Sequence, residues 1–349
     1  MKSFRGKKHI GIILEPSEKG FDAGASTFIC AFIDQEDPDT THLYYSGAKD
    51  TKWSHAAIGL AVSEDHKQFR KIKEVNPVIE GSKGQFNSKE SVTPAVVRIS
   101  NYYYMFFAGS TSSSKLLPYG RKIGIAYADD PRGPWEVLGV IAKPERYWEG
   151  WSIDIGPSIV KLSEKEVLVY YSNVNNKRPF NMIIGPKYCF RSIGILKVKI
   201  KSSRSIEVLK YEGNPLKHLN GSRGNLNESL FCPGYLSINK KHFLLPSMST
   251  YSIGSPYRQY IGLVSDDTPY FKHAKTPSIL IDGPAEKKEI IPDVSSEIAL
   301  DTPSPINRED KIYLYYSVMD RNHGIWKTAL SIIDKHFFNV KITERGGLL

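Results

Sequence analysis

The chain has 349 residues, 40% hydrophobic and 11% aromatic, which is enough apolar surface to bury a sizeable core. Its formal charge of +10 favours an anionic partner, but the basic residues are dispersed and no nucleic-acid-binding motif occurs, so a nucleic-acid partner is disfavoured. There is no signal-like leader and no apolar run long enough to span a membrane, so we expect a cytoplasmic protein with no membrane partner. Three cysteines lack metal-ligand spacing, and Cys30 and Cys232 are expected to be buried free thiols.

One unit of strand patterns recurs five times along the chain. Each copy has an acidic residue, a short apolar strand, an aromatic alternating strand, and a basic residue before a third strand. An Ile-Gly pair marks that third strand in four copies, at Gly59, Gly124, Gly194 and Gly262. The patterns have the period of two that is typical of strands, and no convincing helical period appears.

Repeats made entirely of strands predict a radial or stacked architecture. Four strands in each of five units predict an all-β fold, a five-bladed β-propeller with four antiparallel strands per blade. We expect a single domain over residues 1–349. Its blades are expected over roughly 15–85, 86–148, 149–222, 223–294 and 295–349. Residues 9–14 form a spare apolar strand, predicted either to close the last blade or to be a simple N-terminal extension.

The acidic residues at the starts of the units are expected to occupy equivalent positions at one mouth of the central channel. They are Asp22, Glu90, Asp154, Glu228 and Asp301. Five like charges in a confined space raise one another's pKa unless a substrate, a cation or basic residues compensate. For any single one of them, the alternative is a hydrogen bond to backbone amides at the blade entrance.

A second set of side chains, basic in character, precedes the third strand of every unit and is expected to rim the same ring. The set is His55, Arg121, Arg191, Arg258 and His323. These residues are candidates for binding hydroxyls, or a carboxylate, phosphate or sulfate on a sugar. The alternative is a repeated salt bridge to the acid of the neighbouring blade. Trp151, close to Asp154, is a candidate stacking platform for a sugar ring.

The order of these motifs resembles the glycoside hydrolases of family 43 and their relatives in families 32, 68 and 117, over roughly residues 21–342. The resemblance implies that Asp22 is the base or nucleophile, that Asp154 orients the site and tunes its partner's pKa, and that Glu228 is the general acid. It also places His323 near a central cation such as calcium in some relatives. Apart from that cation, we expect no cofactor or metal.

The chain departs from these families at each motif. Family 43 has Asp directly before Pro at its first position, whereas Asp22 is followed by Ala and Gly. Family 32 has Glu directly before Cys and Pro, whereas three residues separate Glu228 from Cys232. Two residues are inserted between Asp154 and Pro157. Glu90 is therefore the alternative to Asp22 as the base.

The sequence predicts a glycoside hydrolase that cleaves a short or anionic oligosaccharide by carboxylate acid and base catalysis in the central cavity. The remaining candidates are expected to bind the substrate: Glu90, Arg121, Arg191, Arg258, His55, Trp151, Asp301 and His323. The alternative functions are a non-catalytic glycan-binding propeller and a relative that processes surface polysaccharides. A protein-interaction propeller is disfavoured, because such a scaffold needs no ring of acids.

Overall fold

The structure is a computed structural model that describes residues 6–112, 120–174, 191–223, 226–251 and 258–338. Within these ranges the chain is built almost entirely of β-strands, which confirms the all-β prediction. Residues 113–119 and 175–190, which include Cys189, lie outside the described residues, as does the side chain of Arg258. Cys30 and Cys232 are buried free thiols, as predicted.

The strands pair into five antiparallel units, which we number 1 to 5 in chain order. An early strand, β1 (Lys7–Leu14), precedes unit 1. Unit 1 contains β2 (Ala25–Ile33), β3 (Thr41–Ala48), β4 (Ala56–Ser63) and β5 (Arg70–Lys71). Unit 2 contains β6 (Glu90–Ile99), β7 (Tyr102–Ser110), β8 (Lys122–Ala128) and β9 (Glu136–Ala142). Unit 3 contains β10 (Ile153–Lys161), β11 (Glu166–Asn173), β12 (Ile193–Ser202) and β13 (Ser205–Lys210).

The last two units follow the same plan. Unit 4 contains β15 (Leu226–Ile238), β16 (Lys241–Tyr251), β17 (Arg258–Asp266) and β18 (Ser278–Asp282), with the short β14 (Ser222–Arg223) paired to β15. Unit 5 contains β19 (Ile298–Arg308), β20 (Lys311–Asp320) and β21 (Trp326–Asp334). An α-helix, α1 (Gly283–Ile290), joins units 4 and 5. No helix among the described residues is long and apolar enough to cross a bilayer.

The fourth strand of unit 5 comes from the opposite end of the chain. Strand β1 pairs antiparallel with β21, so that Lys7 lies opposite Ile333. Side chains also hold β1 in place, because Lys7 Nζ donates to Glu286 Oε2 of α1 at 2.5 Å and His9 Nε2 lies 2.9 Å from the same oxygen. Residues 9–14 therefore belong to unit 5.

The first strands of the five units contact one another in a closed cycle, from β2 through β6, β10, β15 and β19 back to β2. A cavity of about 560 Å³ lies between the carboxyl-terminal halves of these strands. Its lining includes one or more residues of every unit, such as Ile33, Val97, Ile159, Leu236 and Ile306. Apolar side chains also fill the interfaces between neighbouring units, as where Phe106 of unit 2 and Ile155 of unit 3 share one cluster.

Every first strand contains a β-bulge near its middle. In four units the residue at the bulge has a positive φ, between 41° and 50°, although none of the four is glycine. The backbone N–H of this bulge residue donates a hydrogen bond to a serine in the second strand of the preceding unit. The four bonds run from Phe28 to Ser317 (2.7 Å), Thr93 to Ser46 (2.9 Å), Cys232 to Ser172 (3.5 Å) and Thr302 to Ser247 (2.9 Å).

The junction between units 2 and 3 is the exception to this pattern. Ala108 occupies the serine position there, since it pairs with Val92 just before the bulge of unit 2. The N–H of Ile155 donates instead to Oδ1 of the preceding Asp154, at 3.1 Å. An acidic side chain has therefore replaced the serine at this junction, close to the axis of the ring.

Candidate active site

The five predicted acids do not occupy equivalent positions, so that prediction was wrong. Asp154 and Asp301 do correspond, because each immediately precedes the bulge and pairs with the serine of the second strand, Ser172 or Ser317. In the other units this position holds Thr27, Val92 and Phe231. The other three acids come earlier in their units. Glu90 lies two residues before the equivalent position, Glu228 lies three before it and Asp22 lies five before it.

The prediction of five equivalent basic residues was also wrong. Arg121 and Arg191 share one position in their units. Each lies two residues before an isoleucine, and that isoleucine pairs with Ala108 in unit 2 and with Ser172 in unit 3. Their backbone N–H groups donate to corresponding serines of the next unit, Ser152 at 3.0 Å and Ser229 at 3.1 Å. Ala56, Gln259 and Trp326 occupy this position in units 1, 4 and 5.

The other basic candidates lie elsewhere. His55 comes one residue before the shared position, and its Nε2 lies 2.7 Å from Glu80 Oε1. Arg258 also comes one residue before it, and its side chain is outside the described residues. His323 lies in an exposed turn, where its Nδ1 is 3.0 Å from Asp320 Oδ2. The structure therefore brings only Arg121 and Arg191 to the axis among the described basic side chains of this set.

Arg121 is enclosed by two carboxylates at the junction between units 2 and 3. Its Nε donates to Glu90 Oε2 at 3.0 Å and its Nη1 donates to Asp154 Oδ2 at 2.6 Å. Thr93 Oγ1 donates to the other Asp154 oxygen at 2.5 Å. All four side chains are buried. This network fixes Asp154 as a hydrogen-bonded carboxylate at the centre of the ring.

Arg191 has different surroundings at the junction between units 3 and 4. Its Nε donates to the carbonyl of Asn173 at 2.8 Å, and its Nη2 lies 3.3 Å from Ser172 Oγ. The guanidinium lies over the ring of Phe231, 3.9 Å from the centroid. Phe231 occupies the position that Asp154 has in unit 3. Among the described residues, no carboxylate lies within ion-pair distance of this arginine.

Asp301 is buried in a less charged environment than Asp154. Ser247 Oγ and the N–H of Thr302 donate to its Oδ1 at 2.9 and 2.6 Å. Burial raises the pKa of Asp301, and the nearby charge of Asp154 adds to the increase, while Arg191 and the hydrogen bonds oppose it. With 8% of its surface exposed, Asp301 is the most accessible of the five predicted acids.

Cys232 lies among these central charges. Burial raises the pKa of its thiol well above the ordinary value, and the charges of Asp301 and Asp154 raise it further. The neutral thiol is therefore the dominant form at neutral pH, and Cys232 is a poor nucleophile.

Asp22 belongs to a separate ion pair within unit 1. Lys71 Nζ of the outermost strand donates to Asp22 Oδ2 at 2.5 Å, and Tyr45 OH donates to the same oxygen at 3.0 Å. Unit 3 repeats this arrangement with Glu149, which accepts from Lys210 at 2.8 Å and from Tyr171 at 2.7 Å. The repetition indicates that this carboxylate, lysine and tyrosine link the outermost strand to the loop before the first strand.

Glu228 is buried near the start of the first strand of unit 4. Its backbone N–H donates to the carbonyl of Gly221 at 3.0 Å, and its own carbonyl accepts from Asn220 Nδ2 at 3.0 Å. A Cβ on Gly221 would lie 3.1 Å from Glu228 Oε2, so a side chain there would crowd the carboxyl group. Because glycine has no side chain, position 221 leaves room for this carboxyl group.

Aromatic side chains occupy the opposite part of the ring, at the junction between units 5 and 1. The ring of Phe28 lies 5.3 Å from Trp53 and 5.3 Å from Trp326, centroid to centroid. Trp326 holds the position that Arg121 and Arg191 have in their units. Trp151, the predicted platform, is 39% exposed, whereas Trp148 packs against Tyr171.

Sequence reasoning missed Thr93 and Phe28, and it missed the serines that join the units. A signal for the serines is present, because three second strands contain the same aromatic-serine pair: Tyr45-Ser46, Tyr171-Ser172 and Tyr316-Ser317. Among the described residues, no three His, Cys, Asp or Glu side chains are arranged to hold a metal ion.

Comparisons of sequence identify no relative, since no family model and no curated protein matches the chain. Solved structures do match it. A glycoside hydrolase superposes with a TM-score of 0.64 at 10% identity, covering 93% of this chain and 92% of that one. A family 117 glycoside hydrolase from the marine bacterium Zobellia galactanivorans gives 0.61 at 12% identity, covering 94% and 90%.

The catalytic domain of a family 62 α-L-arabinofuranosidase from Coprinopsis cinerea gives a TM-score of 0.56 at 11% identity, covering 95% of this chain and 97% of that one. At such low identity the likeness shows a common fold. The chain therefore shares its all-β fold, over nearly its whole length, with glycoside hydrolases of propeller families.

Proposed function

We propose that the five units are the blades of a five-bladed propeller and that the protein is a glycoside hydrolase acting on a short or anionic oligosaccharide. The closed cycle of first strands supports five blades, because each first strand contacts those of the units on either side of it. The fold shared with glycoside hydrolases supports the class of reaction. The substrate would bind at the end of the channel where Asp154, Asp301 and Arg191 lie.

The observation that carries the proposal is the contrast between Asp154 and Asp301. They share one position in the first strand, yet Asp154 accepts a hydrogen bond from the Arg121 guanidinium while burial raises the pKa of Asp301. Glycosidic bond cleavage requires one protonated carboxylic acid and one ionised carboxylate. In this proposal Asp301 protonates the leaving oxygen, and Asp154 serves as the ionised carboxylate.

The family resemblance implies a different assignment, with Asp22 as the base, Asp154 as the residue that orients the site and Glu228 as the acid. Glu228 is the second candidate for the acid. Asp22 is disfavoured as the base, because Lys71 and Tyr45 hold it and Glu149 is held in the same way in unit 3. Glu90 is assigned a positioning role, since it binds the far side of the guanidinium that orients Asp154.

The partner proposed for this site is a carbohydrate. Sugar rings present one apolar face, and aromatic side chains with a polar edge suit such ligands. Phe28, Trp53 and Trp326 form a partly exposed aromatic group at the junction between units 5 and 1. Trp151 offers a second aromatic surface before Asp154.

The test is hydrolysis of a panel of aryl glycosides and natural oligosaccharides by the wild type and four variants. Asp154→Asn and Asp301→Asn are expected to lower kcat by about 10²–10⁴, as for removal of an acid or base. For the variant that lacks the acid, a dinitrophenyl leaving group should restore much of the rate, because it needs little protonation. If the dinitrophenyl leaving group restores the rate of Glu228→Gln and not that of Asp301→Asn, the acid is Glu228.

Asp22→Asn is the matched control, since it removes a buried carboxylate that has its own lysine. It is expected to retain kcat after correction for the folded fraction. A complete absence of product with every substrate would overturn the hydrolase proposal. Retained glycan binding without product would then favour a non-catalytic glycan-binding propeller. That second candidate is favoured by one feature of the sequence, since the first-strand prolines 94, 233 and 303 follow Thr or Cys and no acid.

A further inference from the structure

We propose that Arg191 is an anion-binding subsite of the central channel and that the sugar it recognises carries a singly charged oxyanion, a uronate carboxylate or a sulfate ester. This inference rests on the proposed carbohydrate function and names the class of its substrate. It follows from a comparison of two arginines at one structural position.

Arg121 and Arg191 enter the ring in the same way. Each follows a long connection between second and third strands, and each donates its backbone N–H to a serine of the next unit. Their side chains have the same reach toward the first strands on either side. Any difference in their pairing is therefore caused by the residues around them.

The carboxylates that neutralise Arg121 are missing around Arg191. The position of Asp154 is taken by Phe231, and the position of Glu90 is taken by Ser152. The guanidinium of Arg191 consequently stacks on an aromatic face. Its Nε and Nη2 are held by Asn173 and Ser172, which leaves Nη1 for a planar acceptor. No residue of the described chain accepts a hydrogen bond from its Nη1.

The surroundings of Arg191 favour a ligand with one negative charge. Its side chain is partly exposed, so that a ligand can reach it without rearrangement of the core. Glu90 and Asp154 share the one guanidinium of Arg121, and Asp301 is close enough to Arg191 for their charges to interact. A doubly charged phosphate would meet more repulsion there than a carboxylate or a sulfate ester.

The test is binding to an array of uronate-containing and sulfated oligosaccharides, each paired with its carboxyl-reduced or desulfated copy. We expect at least one acidic glycan to bind, and its neutral copy to bind at least about tenfold more weakly, as for loss of a charge-assisted hydrogen bond. Preference within the acidic set distinguishes carboxylate from sulfate. Binding of neutral copies as strongly as acidic glycans, or no binding of any acidic glycan, would overturn the proposal.

Variants assign the preference to this residue. Arg191→Gln should remove the difference between acidic and neutral copies, whereas Arg191→Lys should retain part of it, because the charge remains and the planar fork is lost. Arg132→Gln removes the same charge from an exposed turn after β8 and should change nothing. Preserved preference in a folded Arg191→Gln protein contradicts the assignment, and thermal unfolding of each variant establishes that it is folded.

The outcomes separate this inference from the proposed reaction. Hydrolysis of acidic and neutral glycosides at equal rates, which Arg191→Gln leaves unchanged, would overturn the subsite and keep the hydrolase. Arg191-dependent binding of an acidic glycan with no hydrolysis would keep the subsite and overturn the reaction.

Discussion

Two neighbouring junctions of the ring use the same arginine in opposite ways. Between units 2 and 3, Arg121 is buried between Glu90 and Asp154, and its guanidinium forms ion pairs with both carboxylates. Between units 3 and 4, Arg191 meets Phe231 and a backbone carbonyl, and no described carboxylate pairs with it. The two junctions show that one repeated backbone position can hold an arginine between two carboxylates in one place and an arginine stacked on an aromatic ring in the next.

The largest expected effect is on stability at the first of these junctions. Arg121→Gln leaves two buried carboxylates without their cation, and we expect the free energy of unfolding to fall by about 3–5 kcal/mol. Arg191→Gln breaks no ion pair and is expected to cost about 1 kcal/mol. Urea denaturation at neutral pH measures both. Equal losses for the two variants would contradict the distinction between the junctions.

A second prediction concerns Asp301 of unit 5 and the pH dependence of stability. Because burial raises the pKa of Asp301, the folded protein holds this proton to higher pH than the unfolded chain does. The contribution of Asp301 to the free energy of unfolding should therefore decline as pH rises above about 3.9, by about 1.4 kcal/mol for each unit of pKa difference.

Asp301→Asn removes that decline, so its stability relative to the wild type should improve from pH 4 toward neutrality. Urea denaturation at several pH values gives the comparison. A difference between the two proteins that stays constant over this range would show that Asp301 does not titrate as proposed.

A third prediction tests the stacking that distinguishes Arg191. Phe231→Leu should lower the free energy of unfolding by about 1–2 kcal/mol, through lost packing and lost cation–π contact. In a double-mutant cycle with Arg191→Gln, we expect a coupling of about 0.5–2 kcal/mol. Strictly additive losses would mean that the ring and the guanidinium do not interact in solution.

The smallest expected effect is at the junction that closes the ring. Ser317→Ala deprives the Phe28 N–H of its acceptor, and the loss should be about 1 kcal/mol. Ser46→Ala, at the junction between units 1 and 2, should cost a similar amount. Thermal unfolding of both variants is the measurement, and wild-type stability in both would mean that water or relaxed geometry replaces the serine.

The sequence predicted the strands and their grouping because these depend on local patterns. Alternation in the aromatic second strands, such as 167–172, requires no knowledge of neighbours. The same reasoning found Asp154, Arg121 and Arg191, which the structure brings together near the axis.

Register could not be predicted in this way. The bulge that sets it depends on contact with the preceding unit, and a shift of one residue turns a side chain to the other face of a strand. His55 and Arg258 were grouped with Arg121 for this reason, although each comes one residue too early. Asp22 was grouped with Asp154, although its structural counterpart is Glu149.

The pairing of β1 with β21 also has a consequence for the order of events during synthesis. Lys7 is synthesised before units 1 to 4 and Ile333 after them, so unit 5 cannot be completed until those four units have been made. Units 1 to 4 can form their own sheets earlier. Until then β1 is an unpaired strand, and an unpaired strand can associate with another chain. The pairing of β21 with β1 is therefore the step that protects this edge.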